Sequence, residues 1–174
     1  MTGFHNAAPQ FRFVRRRNVV LSVDTDKTNE EDLLNAITKA KHLVGLLGCI
    51  LTEYTSYSET SSIPGHYVLF WELKATRSSE GLNLDQAVME ECCSVVEASL
   101  DAVYRRCRSR DRSIGPLEIR VVGCGAFDAL MDHCVSQGSS VNQYKTPRCI
   151  KSPEAIKILN ERVVGRFFSR EAPH

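Results

Sequence analysis

Apolar residues recur along this chain with two different spacings, which divide it into helical and strand-like elements. Helical spacing runs from Leu33 to Leu47, behind a Thr28-Asn-Glu-Glu31 sequence that has the form of a capping box. In such a box the Thr28 hydroxyl accepts a hydrogen bond from the Glu31 amide. Strand-like runs are predicted at 19–23, 50–57, 67–73 and 117–122.

Three further helices are predicted from the same pattern. A long apolar stripe predicts a helix over 84–108, a second helix covers 127–135, and Pro153 begins a C-terminal helix in its favoured first-turn position. The order strand, helix, strand, strand, helix, strand indicates an α+β fold. Its predicted form is a split βαβ, ferredoxin-like sheet flanked by helices, with an N-terminal strand or hinge segment and the C-terminal helix.

Composition limits the classes of partner. The net charge is +1 from 22 basic and 21 acidic residues, which gives no argument for nucleic acid or an anionic membrane. No apolar run approaches the roughly 18 residues of a membrane span, and the first residues do not form a signal peptide. The seven cysteines show neither a Cys-x-x-Cys pair nor zinc-ligand spacing. We therefore expect a reduced, cytoplasmic protein without a metal site.

The loop from Gly138 to Cys149 is the strongest candidate for chemistry. Gly138 gives its backbone conformational freedom, and Pro147 stiffens the segment that carries Lys145 and Arg148. Such a loop suits an anion, and Lys145 is placed to meet developing negative charge. From these residues alone, a surface turn with two solvated cations is the alternative interpretation.

Other candidate motifs are weaker. Asp24-Thr-Asp26 begins like a calcium loop, but the glycine and glutamate required later in that motif are missing. His66 and His133 are expected to be packed or surface histidines rather than bases. The basic runs Arg15–Arg17 and Tyr104–Arg112 suit a turn and a helix C-terminus, and they lack the interleaved aromatic residues of nucleic-acid sites.

The candidate loop is one of six segments that together resemble a known plant family. The segments are Gly3 to Asn18, Val20-Leu-Ser-Val-Asp-Thr-Asp-Lys27, Tyr54-Thr-Ser-Tyr57, Ile63-Pro-Gly-His-Tyr-Val-Leu-Phe-Trp-Glu72, Ser113-Ile-Gly-Pro-Leu-Glu-Ile-Arg-Val-Val122 and Gly138-Ser-Ser-Val-Asn-Gln-Tyr-Lys-Thr-Pro-Arg-Cys149. In this order they are similar to the C-terminal part of the Gretchen Hagen acyl acid amido synthetases. That family joins amino acids to hormone carboxylic acids. The residues of the six segments are most similar to those of its auxin-conjugating branch.

The resemblance implies a fragment of an ATP-dependent ligase. In that family a carboxylate attacks the α-phosphate of ATP, and an amino acid then displaces AMP from the acyl adenylate to form an amide. The family's phosphate loop and Tyr-Arg-x-Gly-Asp motif do not occur in this sequence. We therefore expect ATP and Mg²⁺ to be bound mainly by a large N-terminal domain. Residues 1–23 would end that domain and form the hinge strand, and 24–174 would form a C-terminal lid.

The resemblance also assigns candidate site residues. Lys145 matches the catalytic lysine that the family brings to the phosphates, and Lys27 matches a second nucleotide-facing lysine beside the hinge. Phe13 and Val14 fall close to where AMP would lie. The expected substrates are indole-3-acetic acid or a related hormone acid and an amino acid, and the lid alone is expected to be inactive. The alternative is a non-catalytic regulatory or small-ligand-binding module of ferredoxin-like fold.

Overall fold

The computed structural model describes the backbone of residues 3–5, 8–10, 19–76, 82 and 84–170, with side chains from residue 21 onward. Its strands are β1 (Gly3–His5), β2 (Ala8–Gln10), β3 (Val19–Leu21), β4 (Thr28–Asn29), β5 (Cys49–Glu59), β6 (His66–Ala75), β7 (Glu118–Val122) and β8 (Val163–Phe168). Its helices are α1 (Glu30–Leu46), α2 (Gln86–Ser99), α3 (Ala102–Ser109), α4 (Ala126–Ser136) and α5 (Pro153–Asn160), and a 3-10 turn covers Val141–Gln143.

A four-stranded mixed sheet in the order β5-β6-β7-β8 forms the centre of the fold. β5 and β6 form an antiparallel hairpin, β6 and β7 are parallel, and β7 and β8 are antiparallel. Two parallel central strands are therefore flanked by antiparallel edge strands, and helices cover both faces. The predicted α+β class is confirmed.

The alternation of side chains between the two faces of β6 explains how the two cores form. Leu69 and Trp71 contact one core cluster, on the face covered by α1 and α2, and that cluster includes Met89. Val68 and Phe70 contact the other cluster, on the face covered by α4 and α5. Because successive side chains of a strand lie on opposite faces, a strand between two helical layers must be apolar throughout. This confirms the prediction that 67–73 is a central strand.

The strands of the sheet are not all those predicted from the sequence. The predicted first strand contains β3, which pairs with β4 in a separate two-stranded sheet. The fourth position is taken by β8, which follows the predicted C-terminal helix. β8 is an edge strand in which only Phe167 is buried, so its sequence carries little of the alternation on which a strand prediction depends.

The N-terminal cap of α1 lies one residue beyond the predicted position. Asn29 is the cap, and its side-chain oxygen accepts from the Asp32 amide at 2.9 Å. The Thr28 hydroxyl is buried and lies 3.2 Å from the hydroxyl of Tyr67 on β6. The predicted capping box is therefore wrong, because Thr28 is used in a tertiary contact.

The helix predicted over 84–108 is two helices. α2 ends at Ser99 and α3 begins at Ala102, with Asp101 as its cap. The Asp101 carboxylate accepts from the Tyr104 amide at 2.8 Å, and Leu100 between the helices is buried. An aspartate that binds the backbone locally favours a helix start over a helix interior. The prediction of a continuous helix was wrong because apolar spacing continues across this break.

Candidate functional site

The segment that carries Lys145 runs from the end of α4 to the start of α5 and lies against the edge strand β5. The Thr55 hydroxyl donates to the carbonyl of Pro147 at 2.6 Å, and the Ser56 hydroxyl donates to the carbonyl of Arg148 at 2.5 Å. The Ile150 amide donates to the carbonyl of Ser56 at 2.9 Å. These bonds fix the second half of the loop and cover part of an otherwise open sheet edge.

Glu53 on β5 is the polar centre of this contact. One carboxylate oxygen accepts from Arg148, and the other accepts from the Thr146 hydroxyl at 2.8 Å. Burial opposes ionisation of Glu53, but these bonds and one from the Tyr54 amide outweigh it and lower its pKa. The Arg148 guanidinium also donates to the carbonyl of Tyr54 at 2.8 Å and lies 4.3 Å from the centre of its ring.

Lys145 itself is exposed, between the half-buried residues Tyr144 and Thr146. It makes no hydrogen bond or ion pair with any residue that the structure describes. Gly138 begins the loop with φ of 100°, a left-handed conformation that suits glycine. The loop therefore holds one of its two cations internally, at Arg148, and leaves the Lys145 ammonium group in solvent.

Lys27 is exposed in the turn between β3 and β4, and the residues on either side of it are buried. Asp26 accepts from the amides of Val23 and Asp24 at 3.0 and 2.8 Å and from the hydroxyl of Tyr67. The predicted absence of a calcium loop is consistent with this use of Asp26. The turn is thus tied to β6 through a buried carboxylate, and Lys27 extends from a fixed backbone.

Both lysine segments are attached to β5. The β3–β4 segment contacts it through Ser22, whose amide donates to the Ser58 hydroxyl at 3.2 Å, and the Lys145 loop contacts it between Glu53 and Ser56. The structure thus connects the predicted lysines to one edge strand. Phe13 and Val14, which were also predicted to contact the nucleotide, lie outside the described residues.

A second polar cluster lies under α5 and was not predicted from the sequence. Glu118 is almost fully buried and accepts from Arg120 at 2.6 Å and from His66 at 3.2 Å. Arg120 also donates to the hydroxyl of Tyr57 at 2.8 Å and to the side chain of Asn160 at 2.6 Å. Burial opposes ionisation of Glu118, yet the bonds from His66 and Arg120 outweigh it and lower its pKa to about 2.

The sequence contained a signal for this cluster. Glu118 and Arg120 alternate with Ile119 and Val121 inside a strand of which every residue is buried. Buried charges in proteins are normally paired, so an acid and a base two positions apart on one face of such a strand indicate an internal ion pair. His66 lies beside Glu118, in agreement with the prediction of a packed or surface histidine.

Open cavities border both regions. One of about 650 Å³ lies beside the Lys145 loop, between α4, Pro147 and the start of α5. Another of about 750 Å³ lies between the end of β5 and α5, above Tyr57 and Asn160. The described part of the chain holds no group of three or more His, Cys, Asp or Glu residues suited to a metal ion. No helix in that part is both long and apolar enough to cross a membrane.

Comparison with known proteins identifies the domain. The sequence model of the GH3 family C-terminal domain matches residues 31–154. The chain belongs to this family. It is 70% identical over 99% of its length to the indole-3-acetic acid-amido synthetase GH3.17 of Arabidopsis thaliana. It is 55% identical over 97% of its length to the 4-substituted benzoates-glutamate ligase GH3.12 of the same plant.

A solved structure gives the same relationship at the level of the fold. The acyl acid amido synthetase GH3.15, in a complex with 2,4-DB, matches with a TM-score of 0.90 and 53% identity over 99% of this chain. The chain spans 29% of the length of GH3.17 and 30% of the GH3.15 chain. It therefore corresponds to a part of the length of these relatives, and that part includes the family's C-terminal domain at residues 31–154.

Proposed function

We propose that the chain is the lid domain of an ATP-dependent ligase that joins an amino acid to indole-3-acetic acid, or to a related hormone acid, through an amide bond. The observation that carries this proposal is the 70% identity with GH3.17, which continues over 99% of the chain. The auxin assignment rests on GH3.17 itself, because GH3.12, which is named for benzoates, is 55% identical and GH3.5, which is named for indole-3-acetic acid, is 54% identical. The reaction passes through an acyl adenylate, which requires a domain outside this chain to hold ATP against the acid.

The proposed division of the chain places residues 1–23 at the end of the large domain and in the hinge, and 24–174 in the lid. The boundary falls in the turn between β3 and β4. The four-stranded sheet lies wholly within 24–174, whereas the hinge strand β3 packs against the lid, because it pairs with β4 and buries Leu21 in the core on the α1 and α2 face. A hinge at this point leaves every strand of that sheet within the lid.

In this proposal the two exposed lysines meet the phosphate groups of the nucleotide. Negative charge increases on the α-phosphate as the carboxylate attacks, and it increases on the departing pyrophosphate. An ammonium group that contacts this charge lowers the barrier. Lys145 is the catalytic candidate, because it extends from a loop fixed to β5 and no described residue neutralises it. Lys27 contributes to nucleotide binding from the hinge side, where Phe13 and Val14 border the AMP moiety.

Magnesium is not assigned to this chain. A hard divalent cation prefers several oxygen ligands in near-octahedral geometry, and no suitable acidic cluster occurs among the described residues. In this proposal magnesium and most of the ATP site belong to the large domain, since the family's phosphate loop and Tyr-Arg-x-Gly-Asp motif do not occur in this sequence. The proposed partners are the large domain and the two substrates, and neither nucleic acid nor a membrane is among them. The proposed compartment is the cytoplasm.

The test joins this chain to the remainder of GH3.17 in place of that enzyme's own C-terminal domain. We expect the joined enzyme to catalyse pyrophosphate exchange with indole-3-acetic acid and to form an amide that mass spectrometry detects. Lys145→Ala should lower the exchange rate by about a hundredfold, the usual cost of losing one charge contact in the transition state. Lys151→Ala is the control, because Lys151 is an exposed lysine close by in the chain.

Two outcomes would contradict this proposal. Equal, small effects of the two substitutions would mean that Lys145 is a solvated surface residue. Acyl-adenylate formation by the isolated 174-residue chain would mean that it is not a lid at all. A folded joined protein without any ligase activity would favour the alternative, a regulatory or ligand-binding module.

A further inference from the structure

Glu53 contacts the Lys145 loop with both of its carboxylate oxygens. One oxygen accepts from Arg148 and the other from the Thr146 hydroxyl at 2.8 Å. The two donors are the residues one and three positions after Lys145, and they lie more than 90 residues from Glu53 in the sequence. A single carboxylate on a rigid strand thus fixes the backbone directly beside the exposed lysine.

This contact differs from an ordinary surface ion pair. The Glu53 and Arg148 side chains are each only 28% exposed. The guanidinium also donates to the carbonyl of Tyr54 and packs over its ring, so its position is fixed by three kinds of contact. Charge-assisted hydrogen bonds of this type are stronger and more directional than exposed pairs. Arg148 therefore serves to hold the loop, which leaves Lys145 as its free cation among the described residues.

The rest of the loop is held without Glu53. The hydroxyls of Thr55 and Ser56 bind the carbonyls of Pro147 and Arg148, and the Ile150 amide binds the carbonyl of Ser56. None of these bonds involves the Glu53 side chain. Loss of the Glu53 carboxylate should therefore release the few residues around Lys145 while the domain remains folded.

We propose that Glu53 is a positioning residue for Lys145, which acts through Thr146 and Arg148 to hold the ammonium group where it meets the phosphates. This rests on the proposed function of Lys145. The lysine side chain is long, and its reach is defined only if the backbone that carries it is fixed. A displacement of about 1 Å of a catalytic group costs up to about a hundredfold in rate.

The first experiment measures the loop itself. Hydrogen exchange of this chain, followed by mass spectrometry of peptides covering 141–149, should be about tenfold faster in Glu53→Ala at the Gln143 and Tyr144 amides, which donate to the carbonyls of Ser140 and Val141. The matched control is Glu59→Ala, which removes another carboxylate of β5 that binds Tyr57 and Ser61 instead of the loop. Unchanged exchange in Glu53→Ala would overturn the proposal.

The second experiment is a double-mutant cycle in the joined enzyme. If Glu53 acts through Lys145, then Glu53→Ala should lower the rate of adenylation by about tenfold or more alone, and by almost nothing in the Lys145→Ala background. KM for ATP should change less than kcat. Rescue by Glu53→Asp would be partial, since the shorter side chain reaches only one of the two donors.

The outcomes separate the two proposals. An equal loss of rate in both backgrounds, or no loss in either, would overturn the positioning role while leaving that of Lys145 intact. If Lys145→Ala alone had no effect, the role of Lys145 and with it that of Glu53 would both be wrong.

Discussion

Replacement of the buried Glu118 by glutamine should give a loss of stability that depends on pH in a defined direction. In the folded chain His66, Arg120 and Arg166 surround this carboxylate, with Arg166 3.6 Å from its second oxygen. Its pKa is about 2, against an ordinary value of 4.5. Because the folded pKa is the lower one, the stabilisation is fully present above about pH 4.5 and is lost as the pH falls toward 2.

The magnitude follows from the same difference. A shift from 4.5 to about 2 corresponds to about 3 kcal/mol between the two protonation states. Glu118→Gln keeps the shape of the protonated acid and leaves Arg120 without its charged partner. We therefore expect the variant to lose about 3 kcal/mol at pH 7. By pH 3 the difference from the parent chain should fall below half, since the carboxyl is then largely protonated in the unfolded parent chain while it is still ionised in the folded one.

Urea unfolding at the two pH values measures this difference. The single tryptophan, Trp71, is fully buried in the central strand, so its fluorescence reports loss of the core. Glu161→Gln is the control, because Glu161 is exposed and lies 3.9 Å from Lys157 in a surface pair worth at most about 0.5 kcal/mol. A loss of the same size at both pH values would refute the assignment of Glu118 as an ionised partner of Arg120.

Other substitutions test the remaining contacts. Tyr67→Phe should cost about 2 kcal/mol, because it removes the donor to one oxygen of the buried Asp26 carboxylate, whose other oxygen accepts from the amides of Val23 and Asp24. Tyr54→Phe should cost little, since its hydroxyl binds no described residue, and thermal unfolding compares the two variants. Asp101→Ala should cost about 1 kcal/mol in the same assay through loss of the α3 cap, and a change near zero would argue against the cap. Native thiol labelling should be fastest at exposed Cys124 and slow at buried Cys92, because burial raises the pKa of Cys92 to about 12. Labelling of Cys92 before Cys124 would contradict the burial of Cys92.

Local sequence patterns determined much of the architecture. The helical spacing from Leu33 to Leu47 predicted α1, and the unbroken apolar run from Tyr67 to Leu73 predicted the central strand β6. The α+β class followed from these elements, because each pattern depends only on neighbours along the chain. The family motifs also distinguish Lys27 and Lys145 from the other lysines at the level of the sequence.

Tertiary structure decided the elements that depend on distant partners. β8 is an edge strand whose sequence barely alternates, and pairing with β7 is what makes it a strand. Glu53 and Arg148 lie 95 residues apart, so no local pattern connects them. Thr28 suited a cap by its sequence, yet the buried hydroxyl of Tyr67 is its partner in the fold. Such contacts depend on chain segments that meet only when the sheet forms, whereas the spacing of apolar residues is already fixed along the chain.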